Sequence, residues 1–119
     1  MKSKTYSNWN KKPGRLLYAH LVFHTKYNRK MLNGKIRDRA EEIISEVLDS
    51  LGCESVKIKV HPNYIHILIG YEPKLAMAKI ANKVKGVSSC LLRREFPELV
   101  KQCEKALWAP KYSIYSAQI

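Results

Sequence analysis

The stretch Val60–Tyr71, with the sequence VHPNYIHILIGY, decides how the rest of the chain is organised. From Tyr64 onward it is dominated by β-branched and aromatic residues, and Pro and Asn precede it, which is typical of a buried strand. Successive side chains on a strand point to opposite faces. One face is therefore predicted to be apolar, starting with Ile65 and Ile67. The other face presents a phenol and an imidazole together, those of Tyr64 and His66.

The charge of the chain predicts a polyanionic partner. Lys and Arg total 22 against 10 Asp and Glu, a net charge of +12 on 119 residues, which is the length of one domain. Nucleic acid is the favoured partner. The open alternatives are an anionic membrane surface, which no basic amphipathic helix supports, and a basic protein without such a partner.

The sequence also bears on location. No apolar run is long enough to cross a membrane, and the N-terminus lacks the apolar segment of a secretory signal. The three cysteines, Cys53, Cys90 and Cys103, include no C-x-x-C pair, so neither a disulfide framework nor a zinc site is expected. We expect a soluble, cytoplasmic, nucleoid-associated protein.

The order of elements predicts the fold. Residues 1–15 are polar and basic and are predicted to form a flexible arm, in which Tyr6 and Trp9 either stack on a base or pack on the fold. Residues 16–119 are predicted to form a single domain. Its strands are predicted at Leu16–His24, Ser55–Val60, from Tyr64 onward and at Trp108–Ser116, and its helices at Lys35–Leu51 and Leu75–Phe96.

This β-α-β-β-α-β order is that of an α+β, ferredoxin-like fold, an antiparallel sheet with two helices on one face. In that arrangement the first and third strands lie side by side at the centre. Strand alternation then turns apolar side chains toward the helices, namely Leu17, Ala19, Leu21, Phe23, Val56, Ile58, Val60, Ile65, Ile67 and Ile69. The same alternation predicts that the uncovered face carries His20, His24, Tyr64 and His66.

Two basic segments are candidate nucleic-acid contacts. The loop after the first strand contains Lys26, Arg29 and Lys30 around Tyr27, where cations can follow phosphates and a ring can pack on a sugar or a base. The second helix carries a cationic side near Gly86, formed by Lys79, Lys83, Lys85, Arg93 and Arg94. The alternatives are a solvated basic turn and a solvated helix face.

Four segments carry a resemblance to a known family. The strand Pro62–Ile69 is similar to a P-D-H-hydrophobic-H-L-hydrophobic pattern, and Lys26–Lys30 resembles K-Y-R-R-K. The run Lys85–Arg94 resembles K-G-x-S/T-x-x-L, and Trp108 with Tyr112 matches L-W-x-x-x-Y-F-V-x-S. These are patterns of the HUH single-tyrosine transposases (TnpA type, IS200 group), and the resemblance extends from about Leu16 to Ser116.

The resemblance implies a homodimer that acts on single-stranded hairpin ends of an insertion sequence. It implies attack by a tyrosine on a phosphodiester, assisted by magnesium or manganese, which leaves a 5′-phosphotyrosine and a free 3′-hydroxyl. Two family histidines ligate the metal. His66 matches the second, Tyr64 stands in place of the first, and His20 or, less readily, His61 is a candidate replacement.

The family's nucleophilic tyrosine lies on a further helix after the last strand, together with a glutamine that completes the metal site. Neither Tyr112 nor Tyr115 matches that position, so the resemblance places the nucleophile beyond Ile119 and implies a truncated or degenerate transposase with impaired catalysis. The alternative is a non-catalytic nucleic-acid-binding module, such as a regulator or a domesticated remnant. An RRM-like RNA binder shares the fold, but its aromatic-rich strand pattern does not occur here.

Overall fold

Four strands and three α-helices form the part of the chain that the computed structural model describes, residues 16–102 and 106–117. The strands are β1 (Leu17–Thr25), β2 (Glu54–Val60), β3 (Tyr64–Tyr71) and β4 (Trp108–Ala117), and the α-helices are α1 (Gly34–Ser50), α2 (Met77–Glu95) and α3 (Pro97–Gln102). The predicted arm, with Tyr6 and Trp9, lies outside the described residues, as does Cys103. None of the helices in the described ranges is long and apolar enough to cross a membrane.

The strands form one antiparallel sheet in the order β2-β3-β1-β4. The first and third strands are therefore neighbours at its centre, which confirms the predicted ferredoxin-like fold. Their register pairs Leu21 with Ile67 and His20 with Leu68. This pairing aligns the apolar sides of the two strands on one face of the sheet.

The core lies between that face and the helices. Leu21, Phe23, Ile65 and Ile67 are fully buried against apolar side chains of the helices. The helical part of the core consists mainly of Ala40, Ile43, Ile44, Leu48, Ile80, Ala81, Val84 and Leu92. Each fully buried Leu, Ile or Phe stabilises the fold by about 1.5–3 kcal/mol relative to an exposed one. The apolar alternation of the central strands therefore dictates which side the helices cover.

Glycine and turn residues set the boundaries of α1. The helix follows Asn33, and the chain leaves it through Gly52, whose φ of +76° is a left-handed conformation suited to glycine. The amide of Cys53 then donates to the carbonyl of Leu48 at 2.9 Å. This turn returns the chain to the sheet at β2.

Two residues predicted to face the helices, Leu17 and Val56, are exposed instead. The register of β2 against β3 shifts between Ser55 and Lys57, so Val56 is an extra residue in a bulge. Its side chain is 41% exposed instead of packing in the core. Leu17, at the start of β1, is likewise exposed although its strand parity matches the apolar face. The predicted alternation of buried and exposed side chains is correct at the other positions. The two exceptions lie at a bulge and at a strand end, where the chain departs from regular strand pairing.

Candidate nucleic-acid interface

The face of the sheet opposite the helices collects rings and cations from all four strands. The register places His24 opposite Tyr64 and His20 opposite both Leu68 and Tyr115. By strand parity the same face carries Tyr18, His20, Val22, His24, Tyr64, His66, Leu68, Ser113, Tyr115, Lys57 and Lys59. The predicted four ring-bearing residues therefore share this face, which we call the open face.

Two imidazoles at the centre of the open face are hydrogen bonded to each other. Nδ1 of His20 lies 2.9 Å from Nε2 of His66, and one of these nitrogens must donate while the other accepts. The two rings are nearly parallel, at 13°, with centroids 4.9 Å apart. The residues belong to neighbouring strands but are diagonal in register, because His66 pairs directly with Val22. We call these two residues the imidazole pair.

The ring of Tyr64 contacts different partners. It stacks on His61 with centroids 4.2 Å apart and an angle of 12° between the planes. On its other side it approaches His24, with centroids 5.4 Å apart. The phenol and the imidazole of the Tyr64-Ile65-His66 strand therefore face the same side but belong to two separate groups of rings.

The basic loop follows directly from the end of β1. Lys26–Asn28 form a tight turn in which Tyr27 and Asn28 have positive φ, and the ring of Tyr27 points into solvent. The charged end of Lys26 and the guanidinium of Arg29 lie 5.7 and 5.4 Å from the centroid of that ring. The amide of Thr25 donates to the carbonyl of Asn63, so the loop adjoins the turn that leads into β3.

The cations of α2 lie on the helix layer, on the other side of the sheet from the imidazole pair. Lys79, Lys83 and Arg94 are exposed there, and Arg93 is half-buried. An added Cβ at Gly86 would meet nothing within 4 Å among the described residues, so their packing does not require the glycine. The structure thus distributes the predicted nucleic-acid contacts over two surfaces, and the role of the helical ones remains a prediction.

Lys85 differs from its helical neighbours. Its ammonium donates to the carbonyl oxygens of Ala109 at 2.8 Å and Pro110 at 3.3 Å, and lies 5.4 Å from the ring centroid of Tyr112. Burial lowers the pKa of this half-buried group. Lys85 therefore connects α2 to the start of β4 through these hydrogen bonds. Its contact with a nucleic acid stays a prediction.

Comparison with known proteins identifies the family to which this chain belongs. The profile of the family described as "Transposase IS200 like" matches residues 15–118. The chain belongs to the IS200-like transposase family. This result confirms the resemblance inferred from the four sequence segments.

Individual relatives agree with the family assignment. The ISDra2 transposase TnpA of Deinococcus radiodurans is 27% identical over 99 residues, which are 82% of this chain and 71% of that protein. The transposases for insertion sequence element IS200 of Salmonella typhimurium and Salmonella typhi are each 25% identical over 114 residues, 95% of this chain and 71% of theirs.

Two solved structures share the fold. A putative transposase from Deinococcus radiodurans superposes with a TM-score of 0.83 at 28% identity, over 90% of this chain and 86% of that one. A REP-associated tyrosine transposase bound to a REP hairpin gives a TM-score of 0.63 at 13% identity, over 89% of this chain and 59% of that one. The second likeness supports the fold alone.

The electrostatics of this IS200-like open face favour anions. The pKa of His66 is lowered, mainly because burial disfavours the charged imidazole, and further because the nearby His20, His61, Lys57 and Lys59 disfavour a positive charge on it. Lys59 is the direct cross-strand neighbour of His66. Strand alternation alone predicts that Lys57 and Lys59 lie on this face, although neither was among the predicted site residues.

The residues present do not fit the family's hard divalent ion in this arrangement. Magnesium and manganese are best held by oxygen ligands. The donors here are the two imidazoles, one of which uses its lone pair to accept the N–H of the other, and the phenol of Tyr64, which lies against His61 and His24. Within residues 16–102 and 106–117, no group of three or more His, Cys, Asp or Glu side chains is arranged to hold a metal ion.

The shifted pKa of His66 predicts a pH dependence of stability. The folded state binds fewer protons than the unfolded state, whose imidazole has the ordinary pKa of 6.5. Stability is therefore full above that value and falls as the pH drops below it toward the lowered folded pKa. His66→Gln should make the melting temperature less sensitive to pH in this window. Thermal melts between about pH 5 and 8 measure the effect.

The matched control for this measurement is His24→Gln, which removes an imidazole from the open face without touching the imidazole pair. An unchanged acid loss of stability in His66→Gln would contradict the assigned cause.

Proposed function

We propose that this chain is a transposase-family DNA-binding protein that recognises the single-stranded hairpin ends of an insertion sequence. The open face and the adjoining basic loop form the binding surface. The observation that carries the proposal is the imidazole pair, which lies at the centre of the sheet face that no described helix covers, with Lys57 and Lys59 on the neighbouring strand β2. A net charge of +12 supplies the long-range attraction for a polyanion.

The layout of the open face suits a strand that crosses the sheet. Lys57, Leu68, His20 and Tyr115 are successive cross-strand neighbours from β2 to β4. Neighbouring strands are about 4.8 Å apart, so this row spans roughly 14 Å. A cation at one end can contact a phosphate, while the ring of Tyr115, 57% exposed at the other end, can pack on a sugar or a base.

Hairpin DNA is proposed as the target because of the family and its relatives. The REP-associated transposase with the same fold is bound to a REP hairpin. Double-stranded stems offer phosphates to the lysines, and the unpaired nucleotides beside a stem offer bases to the exposed rings. The proposed location is the cytoplasm, at the nucleoid, where such DNA occurs.

Metal-assisted tyrosine attack is the activity that the family resemblance implies. The donor set of the open face favours the second candidate function, a non-catalytic nucleic-acid-binding module such as a regulator. Tyr64 replaces a histidine ligand, and the imidazoles of His20 and His66 bond to each other. We therefore propose binding without cleavage through the open face.

A binding and cleavage assay tests this proposal. The intact chain is incubated with a fluorescent single-stranded hairpin and with a fully paired duplex of the same stem, with and without manganese. We expect tighter binding of the hairpin, little effect of manganese on affinity, and no covalent protein–DNA adduct on a denaturing gel. An adduct that depends on manganese would overturn the non-catalytic part, and equal affinity for both DNAs would overturn the hairpin preference.

We also propose a homodimer. The strand β4 is one of the two edge strands of the sheet, and Ile114 on its helix side is 40% exposed. A second copy that covers this edge would bury that side chain and satisfy the strand edge. Light scattering is expected to give twice the mass of one chain, and Ile114→Lys should shift the mass toward one chain. The matched control is Val56→Lys on the opposite edge strand; a monomeric wild type contradicts the proposal.

A further inference from the structure

Tyr27 is the most exposed of the large hydrophobic side chains in the described residues, at 72%. We propose that its ring is a preformed stacking platform for one unpaired base of the bound DNA. This inference rests on the proposed function and deepens it. It names Tyr27 as the residue that contacts a base, and it states that this base is unpaired. Four observations support it, namely exposure, backbone conformation, anchoring and charge.

The backbone of the turn is unusual. Tyr27 has φ 58° and ψ 20°, and Asn28 has φ 56°, so two successive residues other than glycine are left-handed. Asparagine adopts this conformation fairly readily, but a bulky aromatic residue rarely does. Glycine would be the ordinary residue at such a position. The chain therefore holds an aromatic side chain at a position where local backbone preference disfavours it.

Contacts on both sides of the turn hold this conformation. Thr25 is fully buried, and its hydroxyl lies 2.7 Å from the carbonyl oxygen of Arg29 and 3.3 Å from that of Asn63. The side-chain amide of Asn63 donates to Oδ1 of Asn28 at 3.0 Å, and the amide of Lys26 donates to the carbonyl of Leu107 at 2.8 Å. Strained residues persist only where the surrounding structure determines them, and they are concentrated at ligand sites.

The anchors also connect the turn to the open face. Asn63 directly precedes Tyr64, the first residue of β3, and Thr25 directly follows His24. The turn that carries Tyr27 therefore adjoins the end of the open face where Tyr64 and His24 lie. A strand that runs along these rings would reach Tyr27 as it leaves the sheet.

The cations that lie over the ring of Tyr27 suit a nucleotide. The ammonium of Lys26 and the guanidinium of Arg29 lie within 6 Å of the ring centroid, at 5.7 and 5.4 Å. Cations contact the phosphates and the aromatic face contacts the base, the combination that single-stranded nucleic-acid sites use. Bases within a duplex are already stacked, so the ring selects an unpaired base at a loop or a stem end.

Two substitutions separate stacking from a structural role. Tyr27→Asn and Tyr27→Gly both remove the ring and place at this position a residue that tolerates a left-handed backbone, so neither should lower the melting temperature. Both should weaken binding of a hairpin with unpaired flanking bases by roughly 5- to 100-fold, and Tyr27→Phe should stay within about twofold of the wild type. The salt dependence should not change, because no charge is removed.

A fluorescent base supplies the direct readout. 2-Aminopurine at each unpaired position in turn should be quenched by the wild type at one position, and not by Tyr27→Asn. If the wild type binds but the Tyr27 variants bind equally well and quench equally, the stacking inference fails while the proposed function stands. If the wild type binds neither hairpin nor single-stranded DNA, the proposed function itself fails.

Discussion

Trp108→Ala is expected to lower the free energy of unfolding by about 3–5 kcal/mol, the usual cost of truncating a buried aromatic residue to alanine. Trp108 is 4% exposed at the start of β4. Small domains are stable by only about 5–15 kcal/mol, so this variant should be partly unfolded at moderate temperature. Chemical denaturation followed by circular dichroism measures the loss.

The large effect has three sources in the structure. The ring packs edge-on against Phe23 with centroids 4.8 Å apart, and its burial removes a large apolar area from water. Its Nε1–H donates to Oγ of Ser88 at 2.9 Å inside the core. Ser88 is fully buried on α2, so this bond joins the last strand to the second helix. Removing the ring leaves a cavity where strand, sheet and helix meet.

Conservative variants separate these sources. Trp108→Phe retains an aromatic ring near Phe23 but loses the donor to Ser88, and Ser88→Ala removes the acceptor. A double-mutant cycle of these two changes should return a coupling of about 1 kcal/mol, the typical net value of one hydrogen bond. A loss of unfolding free energy below about 1 kcal/mol in Trp108→Ala would contradict the central role of this ring in core packing.

Lys26→Ala combined with Arg29→Ala is expected to weaken binding of single-stranded DNA roughly 25-fold at about 0.1 M salt, whatever the DNA sequence. Each phosphate contact on a single strand contributes about 0.7 to the slope of log affinity against log salt concentration. Two lost contacts should therefore flatten the slope by about 1.4. Titrations at several salt concentrations measure both quantities. An unchanged slope would refute the phosphate-binding role of the loop.

The matched control is Lys79→Ala with Lys83→Ala, which also removes two cations. These lysines are exposed on α2, in the helix layer, whereas the loop adjoins the open face. If DNA binds across the open face, the helix variant should lose much less affinity than the loop variant. Equal losses would mean that the DNA contacts both layers, and would support the role predicted for the helix cations from sequence.

Most of the fold could be predicted because its signals are periodic and local. Strand alternation in Tyr64–Tyr71 separates apolar from ring-bearing side chains, and helical spacing marks the two long helices. Together with the order of elements, these patterns predict a central β1–β3 pair and an open face with His20 and His66. Bounds differ by one or two residues, for example Met77–Glu95 against Leu75–Phe96, as helix ends usually do.

The sequence by itself therefore determined which side of each central strand faces the helices, because that choice follows from hydrophobic burial alone. Tertiary structure decided the rest. The bulge at Val56, the diagonal bond between His20 and His66, and the attachment of Lys85 to β4 depend on register and on contacts between distant segments. The strained presentation of Tyr27 depends on anchors from Asn63 and Leu107, and no local pattern encodes a conformation that distant hydrogen bonds impose.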